Sequence, residues 1–303
     1  MLSRRSFRFI PAALLLTATL VACAAPYTKP MSRDEVRIID HQSPAWDSVR
    51  AHLPDPTVAT AAQLETAADI LRARRFVADA MDFYEHSIRR GGNQPILLNK
   101  LGISSMELRN IPAAKVYFQQ ALKLQKKNAE SWNNLGAIEY LTGRYDAAIS
   151  NYKKAIKFDK HSATYHSNLG TAYFEKKDYE SARKEYEVAL KIDPGMMQRH
   201  SSIGVTARML SPEDHARFCY EMARLYAQRG DEDAMLHYLT MAIESGFDVL
   251  NNMTFDGALG KYRKDTRVLM LVKNAQEMRT KGTPVVAGAA APPPLPPESA
   301  PKN

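Results

Sequence analysis

A 34-residue period constrains this chain more than any other feature of its sequence. Trp132-Asn133-Asn134-Leu135-Gly136 overlays His166-Ser167-Asn168-Leu169-Gly170 at that offset, and the same step carries Leu135 back to Leu101 and Gly136 back to Gly102. Ala148, Tyr152 and Ala155 map forwards onto Ala182, Tyr186 and Ala189, and backwards onto Ala114, Phe118 and Ala121. A fixed step carrying one pattern of small and large apolar residues marks stacked helical hairpins. Counted from Ala129, positions 8, 20 and 27 are the small ones, Gly136, Ala148 and Ala155. Antiparallel helices approach closely only where small side chains meet, and Leu135, Tyr152, Leu169 and Tyr186 then fill the spaces between hairpins. A glycine inside a helix costs about 1 kcal/mol against alanine, so close packing must offset it at position 8.

Trp132, Leu135, Gly136, Ala148 and Tyr152, and again Leu169, Gly170, Tyr173, Ala182, Tyr186 and Pro194, follow the pattern W-x2-L-G-x2-Y…A-x3-F…P. The chain therefore resembles the tetratricopeptide repeat family. Glu139 departs from it where the first-helix tyrosine would stand, and Lys160 where the proline would stand. The resemblance implies an all-α fold, a right-handed superhelical solenoid of about five helical hairpins with a capping helix. It implies protein binding as the working mode.

In chain order, residues 1–22 read as a targeting segment. Arg4, Arg5 and Arg8 make a positive start, and Ile10 to Ala22 is an apolar run ending in small residues. The run is shorter than the ~20 apolar residues that span a bilayer. Leu20-Val21-Ala22-Cys23 resembles the lipobox of bacterial lipoproteins, which implies a lipid on Cys23. Ala24 follows where families retained in the inner membrane typically carry Asp, so an outer-membrane anchor facing the periplasm is expected. Ser3-Arg4-Arg5-Ser6-Phe7 also resembles a twin-arginine export signal, an alternative to the general secretory route. The other cysteine is Cys219, so a lipid on Cys23 leaves no disulfide within the chain. Residues 23–57, with Pro26, Pro30, Pro44, Pro54 and Pro56, read as a tether holding one short helix capped at Ser43. The solenoid is expected over 58–281, with repeats near 61–94, 95–128, 129–162, 163–196 and 216–246 and a capping segment at 247–281. Residues 282–303 are rich in Ala and Pro without a periodic apolar face, which predicts a disordered tail.

The formal charge is +8, and removing the three leader arginines leaves +5, a mild and dispersed basicity that does not by itself point to nucleic acid. No nucleophile elbow, phosphate loop, paired-cysteine metal site or zinc-protease motif is present. His215 and Cys219 share a helical face, but Cys219 falls at a hairpin-core position, and Met196-Met197 near His200 reads as a hydrophobic plug. We therefore expect no enzyme activity, no cofactor, no metal and no small-molecule substrate.

In peptide-binding members of the family, an asparagine just before the repeat leucine contacts the bound backbone, and the resemblance places Asn134 and Asn168 there. An amide donates and accepts at once, which suits an extended chain of any sequence. Lys100, Thr66 and Glu221 hold the matching positions in the other units, and Asn99 and Asn133 stand one residue earlier. Asn99 and Asn133, with Tyr140 and Phe174 on the next turns, are expected to face the same groove. The second helices and loops carry Lys153, Lys154, Lys157, Lys160, Lys176, Lys177, Arg183 and Lys184, read first as a solvated outer face. The expectation is a lipid-anchored envelope scaffold that binds a protein or extended peptide segment. Its alternative is a fixed structural subunit of an envelope machine for pilus secretion or outer-membrane protein assembly.

Overall fold

The computed structural model describes residues 31–196 and 212–280. Cys23, the leader, the tail from 281 onwards, Met197 and His200 lie outside them. Among the described residues all regular structure is helical: α1 (Arg33–Asp40), α2 (Pro44–Arg50), α3 (Ala61–Ala73), α4 (Val77–Arg89), α5 (Gln94–Glu107), α6 (Ile111–Leu124) and α7 (Ala129–Leu141). Then follow α8 (Tyr145–Phe158), α9 (Ala163–Glu175), α10 (Tyr179–Ile192), α11 (Pro212–Arg229), α12 (Glu232–Glu244), α13 (Val249–Met253), a 3-10 turn at Gly260–Tyr262 and α14 (Thr266–Thr280). No described helix is long and apolar enough to cross a membrane.

Side-chain caps start many of the helices. Asn110, Asn128 and Asp178 cap α6, α7 and α10 by accepting from Ala113, Ser131 and Ser181 amides at 3.1, 2.9 and 3.1 Å. Thr60 and Gln63 form a reciprocal capping box at α3. The turn inside each hairpin is left-handed: Arg75, Arg109, Gly143 and Lys177, one period apart, have φ of 72°, 58°, 74° and 61°. In each, the next amide reaches back five residues to close the helix, as Arg144 N to Glu139 O at 2.9 Å. Only Gly143 among these four suits that conformation without strain.

Helices pair as α3/α4, α5/α6, α7/α8, α9/α10 and α11/α12, and neighbouring pairs stack in chain order. Within each hairpin the packing is tightest at position 8. A Cβ on Gly102 would lie 2.4 Å from the Phe118 ring, one on Gly136 2.6 Å from Tyr152, and one on Gly170 3.0 Å from Tyr186. Those three rings are almost completely buried, as are Ala114, Ala148, Ala182 and Ala189. α5 approaches α7 and α7 approaches α9, so the first helices lie side by side, and the face they share is termed the inner face.

One sequence expectation changes, and one departure from the repeat pattern finds its reason. Residues 33–50 form two helices, not one, and they dock on the first hairpin instead of hanging free: Trp46 and Val49 are buried in the same apolar cluster as Leu71, Phe76 and Tyr84. At Glu139, the departure from the aromatic pattern, the carboxylate is buried and ion-paired to Lys115 Nζ at 2.9 Å and to Arg144. The Arg144 hydrogen bond outweighs burial and, with Lys115, holds this carboxyl below its ordinary range. A polar clasp thus replaces the ring between two hairpins.

The C-terminal end closes differently. α14 lies on α12, with Val268 and Ala275 buried. Asp256 anchors the connecting segment by accepting from the amides of Ala258 and Leu259 and from Tyr220 Oη at 2.9 Å.

Candidate functional site

The inner face is built from the first helices α3, α5, α7 and α9. Their period brings Thr66, Lys100, Asn134 and Asn168 to one repeat position. The structure joins the asparagines into a chain of hydrogen bonds. Asn168 Nδ2 donates to Asn133 Oδ1 at 2.9 Å, Asn133 Nδ2 to Asn134 Oδ1 at 3.3 Å, and Asn134 Nδ2 to Asn99 Oδ1 at 3.0 Å. Asn99 Nδ2 then donates to Glu130 Oε2 at 3.0 Å, while Ser131 Oγ donates to Asn99 Oδ1 at 3.0 Å. This ladder ties α9 to α7 and α7 to α5. Buried amides need such partners, because an unmet one costs about 1–3 kcal/mol.

The expected groove residues therefore divide. Asn99, Asn133 and Asn168 are buried at 1%, 4% and 5% exposure, so they belong to the joints between repeats more than to an open surface. Asn134 is half-buried, keeping one N–H and one lone pair uncommitted. Asn168 Oδ1 accepts no hydrogen bond among the described residues. Lys100 is also half-buried, gripped by Glu65 Oε1 at 2.8 Å and Asp69 Oδ2 at 2.6 Å. Burial opposes its charge, but the two carboxylates more than compensate, and its pKa lies above the ordinary lysine range.

Tyr140 and Phe174 do not line a groove. Phe174 is buried between Tyr179 and Phe218, with ring centroids 5.1 and 5.7 Å away. Tyr140 is buried in the cluster of Tyr152 and Leu169, and its hydroxyl donates to Glu175 at 3.0 Å. Both sit on the helix face turned towards the next hairpin. The sequence reading missed Glu130 and Ser131, which complete the ladder; the only signal was their spacing of 31 and 32 residues from Asn99.

At the N-terminal end of the row, a cavity of about 650 Å³ opens between α2 and α3. Val49, Leu53, Pro54, Ala67 and Ile70 line it, with Thr66 from the row itself and Arg74. α2 stands where a preceding repeat would pack, and its poorer fit leaves this space.

At the other end, Glu221 of α11 is buried and met by Arg217 Nη2 at 2.7 Å, Arg224 Nη1 at 2.8 Å and Arg183 Nη1 at 3.5 Å. Cys219 is fully buried, with His215 Nε2 3.6 Å from its sulfur, and burial pushes the thiol up to about 12. A thiol so hard to ionise is neither a nucleophile nor a ready metal ligand. Among the described residues no group of three His, Cys, Asp or Glu side chains is placed to hold a metal.

Family models described as TPR repeat and tetratricopeptide repeat match residues 117–150, 136–177 and 163–196. Residues 117–196 carry the tetratricopeptide repeat pattern. The matched stretch runs from α6 to α10, and α3/α4 and α5/α6 are built alike around Tyr84 and Phe118. No curated protein matches the sequence. Similar solved structures include MamA, at 21% identity over 59% of this chain and 93% of that one, with a TM-score of 0.41. YrrB, described as a TPR protein with an unusual peptide-binding site, is 15% identical over 78% of this chain and 98% of its own, at 0.41. Pseudomonas aeruginosa pilF is 15% identical over 82% and 99%, at 0.45.

Proposed function

We propose that this tetratricopeptide protein is a lipid-anchored scaffold of the cell envelope whose inner helical face holds an extended segment of another polypeptide. The observation that carries the reading is the amide ladder: it keeps the first helices in register and leaves Asn134 and Asn168 Oδ1 with unspent hydrogen-bonding capacity along one line. The α2–α3 cavity continues that line and would take an apolar side chain of the same segment. The reading includes no cofactor, metal, nucleic acid or small-molecule substrate. Anchoring rests on the leader and Cys23, and it places the chain at the outer membrane facing the periplasm.

Because Asn133 and Asn168 also join helices, replacing them would weaken the fold as well as the face. The test therefore uses photo-crosslinking side chains in intact cells, at exposed Thr66 and Ile70 on the first helix α3 and at exposed Val116 and Gln120 on α6. The inner positions are expected to trap a discrete partner that the outer positions do not; equal capture from both would refute the assignment. In the same cells Cys23→Ser is expected to move the protein from the membrane to the soluble envelope fraction.

A second reading, a fixed subunit of an envelope machine, is favoured by Phe255, which is 98% exposed, with Leu269 and Met270 also exposed on the cap. A stoichiometric complex that survives high salt and is lost with Phe255→Ser would favour it over transient capture.

A further inference from the structure

The second helices repeat a different pattern at their C-terminal ends. Lys123-Leu124 of α6, Lys157-Phe158 of α8 and Lys191-Ile192 of α10 stand one period apart. All six side chains are exposed, Leu124 at 55% and Phe158 and Ile192 at 37% each. The loops that follow add exposed Lys126, Lys127 and Lys160. The shared period places these residues in a row along one edge of the solenoid, at the ends of the second helices and in the loops that follow. Lys123, Lys126, Lys127, Lys157 and Lys160 have no carboxylate partner among the described residues, whereas Lys191 pairs with Glu187 at 2.6 Å. The acids in the row are Asp159 and Asp193, both occupied with loop amides, of His161 and Gly195.

We propose that this edge is a membrane-contact surface that lies on anionic lipid headgroups. Two chemistries meet there, lysines without carboxylate partners and exposed apolar side chains, and an anionic bilayer interface rewards both. Lysine ammoniums gain from the negative surface potential while Leu124, Phe158 and Ile192 enter the boundary between headgroups and acyl chains. A polyanion in water would reward the lysines and leave three apolar groups wet. The inference does not depend on Cys23: the lipid supplies tethering, and the edge supplies orientation.

The test uses the full chain carrying Cys23→Ser, so that no acyl group contributes, with vesicles of phosphatidylcholine with and without phosphatidylglycerol. Binding is expected only with the anionic lipid and should fall steeply with added salt. Lys123→Glu with Lys157→Glu and Lys160→Glu should weaken it about a hundredfold, and Leu124→Ser with Phe158→Ser about tenfold, while both variants melt like the parent. A tryptophan at 158 should be quenched by brominated lipid, beyond the background from Trp46 and Trp132. Equal affinity of the lysine variant for anionic vesicles, or equal binding to neutral ones, would overturn the proposal by assigning the affinity to the leader. Lysine-dependent binding to oligonucleotides or polyglutamate without lysine-dependent binding to vesicles would overturn it in favour of a soluble polyanion.

Discussion

α1 lies against the solenoid and α7 is built into it, and the two are held by opposite forces. α7 buries eight residues, and its glycine admits the Tyr152 ring. α1 buries none. It is held by Arg33 to Glu85 at 2.8 Å and to Tyr117 Oη at 3.0 Å, by Arg37 to Asp79 at 3.4 Å and to Asp82, and by His41 to Asp79 at 3.1 Å. Its aliphatic residues Ile38 and Ile39 face solvent at 62% and 56% exposure. Apolar stacking is not weakened by ionic screening, whereas partly exposed ion pairs contribute only about 0–1 kcal/mol each and are screened. The repeats should therefore behave as one cooperative block and α1 as a detachable arm.

The hardest test of that contrast is Tyr152→Ala, which removes a buried ring from the α7–α8 joint and should cost about 3–5 kcal/mol. Urea unfolding would show it, and a loss below 1 kcal/mol would mean the rings do not hold the stack. Next comes the fit at position 8. Gly136→Ala should cost about 1–3 kcal/mol, because overpacking against Tyr152 exceeds the helix gain of ~1 kcal/mol. Gly170→Ala, whose Cβ would sit 3.0 Å from Tyr186, should be the milder of the two.

Acid probes the polar clasp. Glu139 titrates below its ordinary carboxylate value when folded, so its contribution is complete above that value and is lost as pH falls through the lowered one. Glu139→Gln should flatten the acid limb of a stability–pH curve; an unchanged limb would remove the clasp from the account. A smaller effect is expected at Lys177, held at φ 61°: Lys177→Gly should stabilise by about 1 kcal/mol. Least of all, Arg33→Glu with Arg37→Glu should leave the melting of the repeats within about 1 kcal/mol. The same variant should expose the amides of α1 to hydrogen exchange. Loss of the whole fold in it would erase the distinction between arm and block.

Legibility in the sequence followed the same division. Position 8 could be read because a steric demand leaves one kind of residue, and the Gly–ring contacts meet it at Gly102, Gly136 and Gly170. Asn134 and Asn168 could be placed on the inner helices, but an asparagine does not announce its partner. The ladder spans neighbouring repeats, so Asn99, Asn133 and Asn168 turned out to be joint residues. Tyr140 and Phe174 were misjudged because a first helix has two useful faces, and one apolar residue per turn does not say which it serves. Arg33, Arg37 and Asp79 gave no periodic signal, so α1 went unread as a docked helix.

The sequence alone determined the all-α class and the recurring hairpin, because helix spacing and small-residue contacts are short-range demands repeated every 34 residues. The tertiary structure decided which polar groups are consumed in joints and which stay open. It also decided that α1 rides on charge and that the lysine–apolar row shares an edge. Those outcomes depend on groups that meet across turns and repeats, and contact at that range is settled by how the hairpins bend around one another.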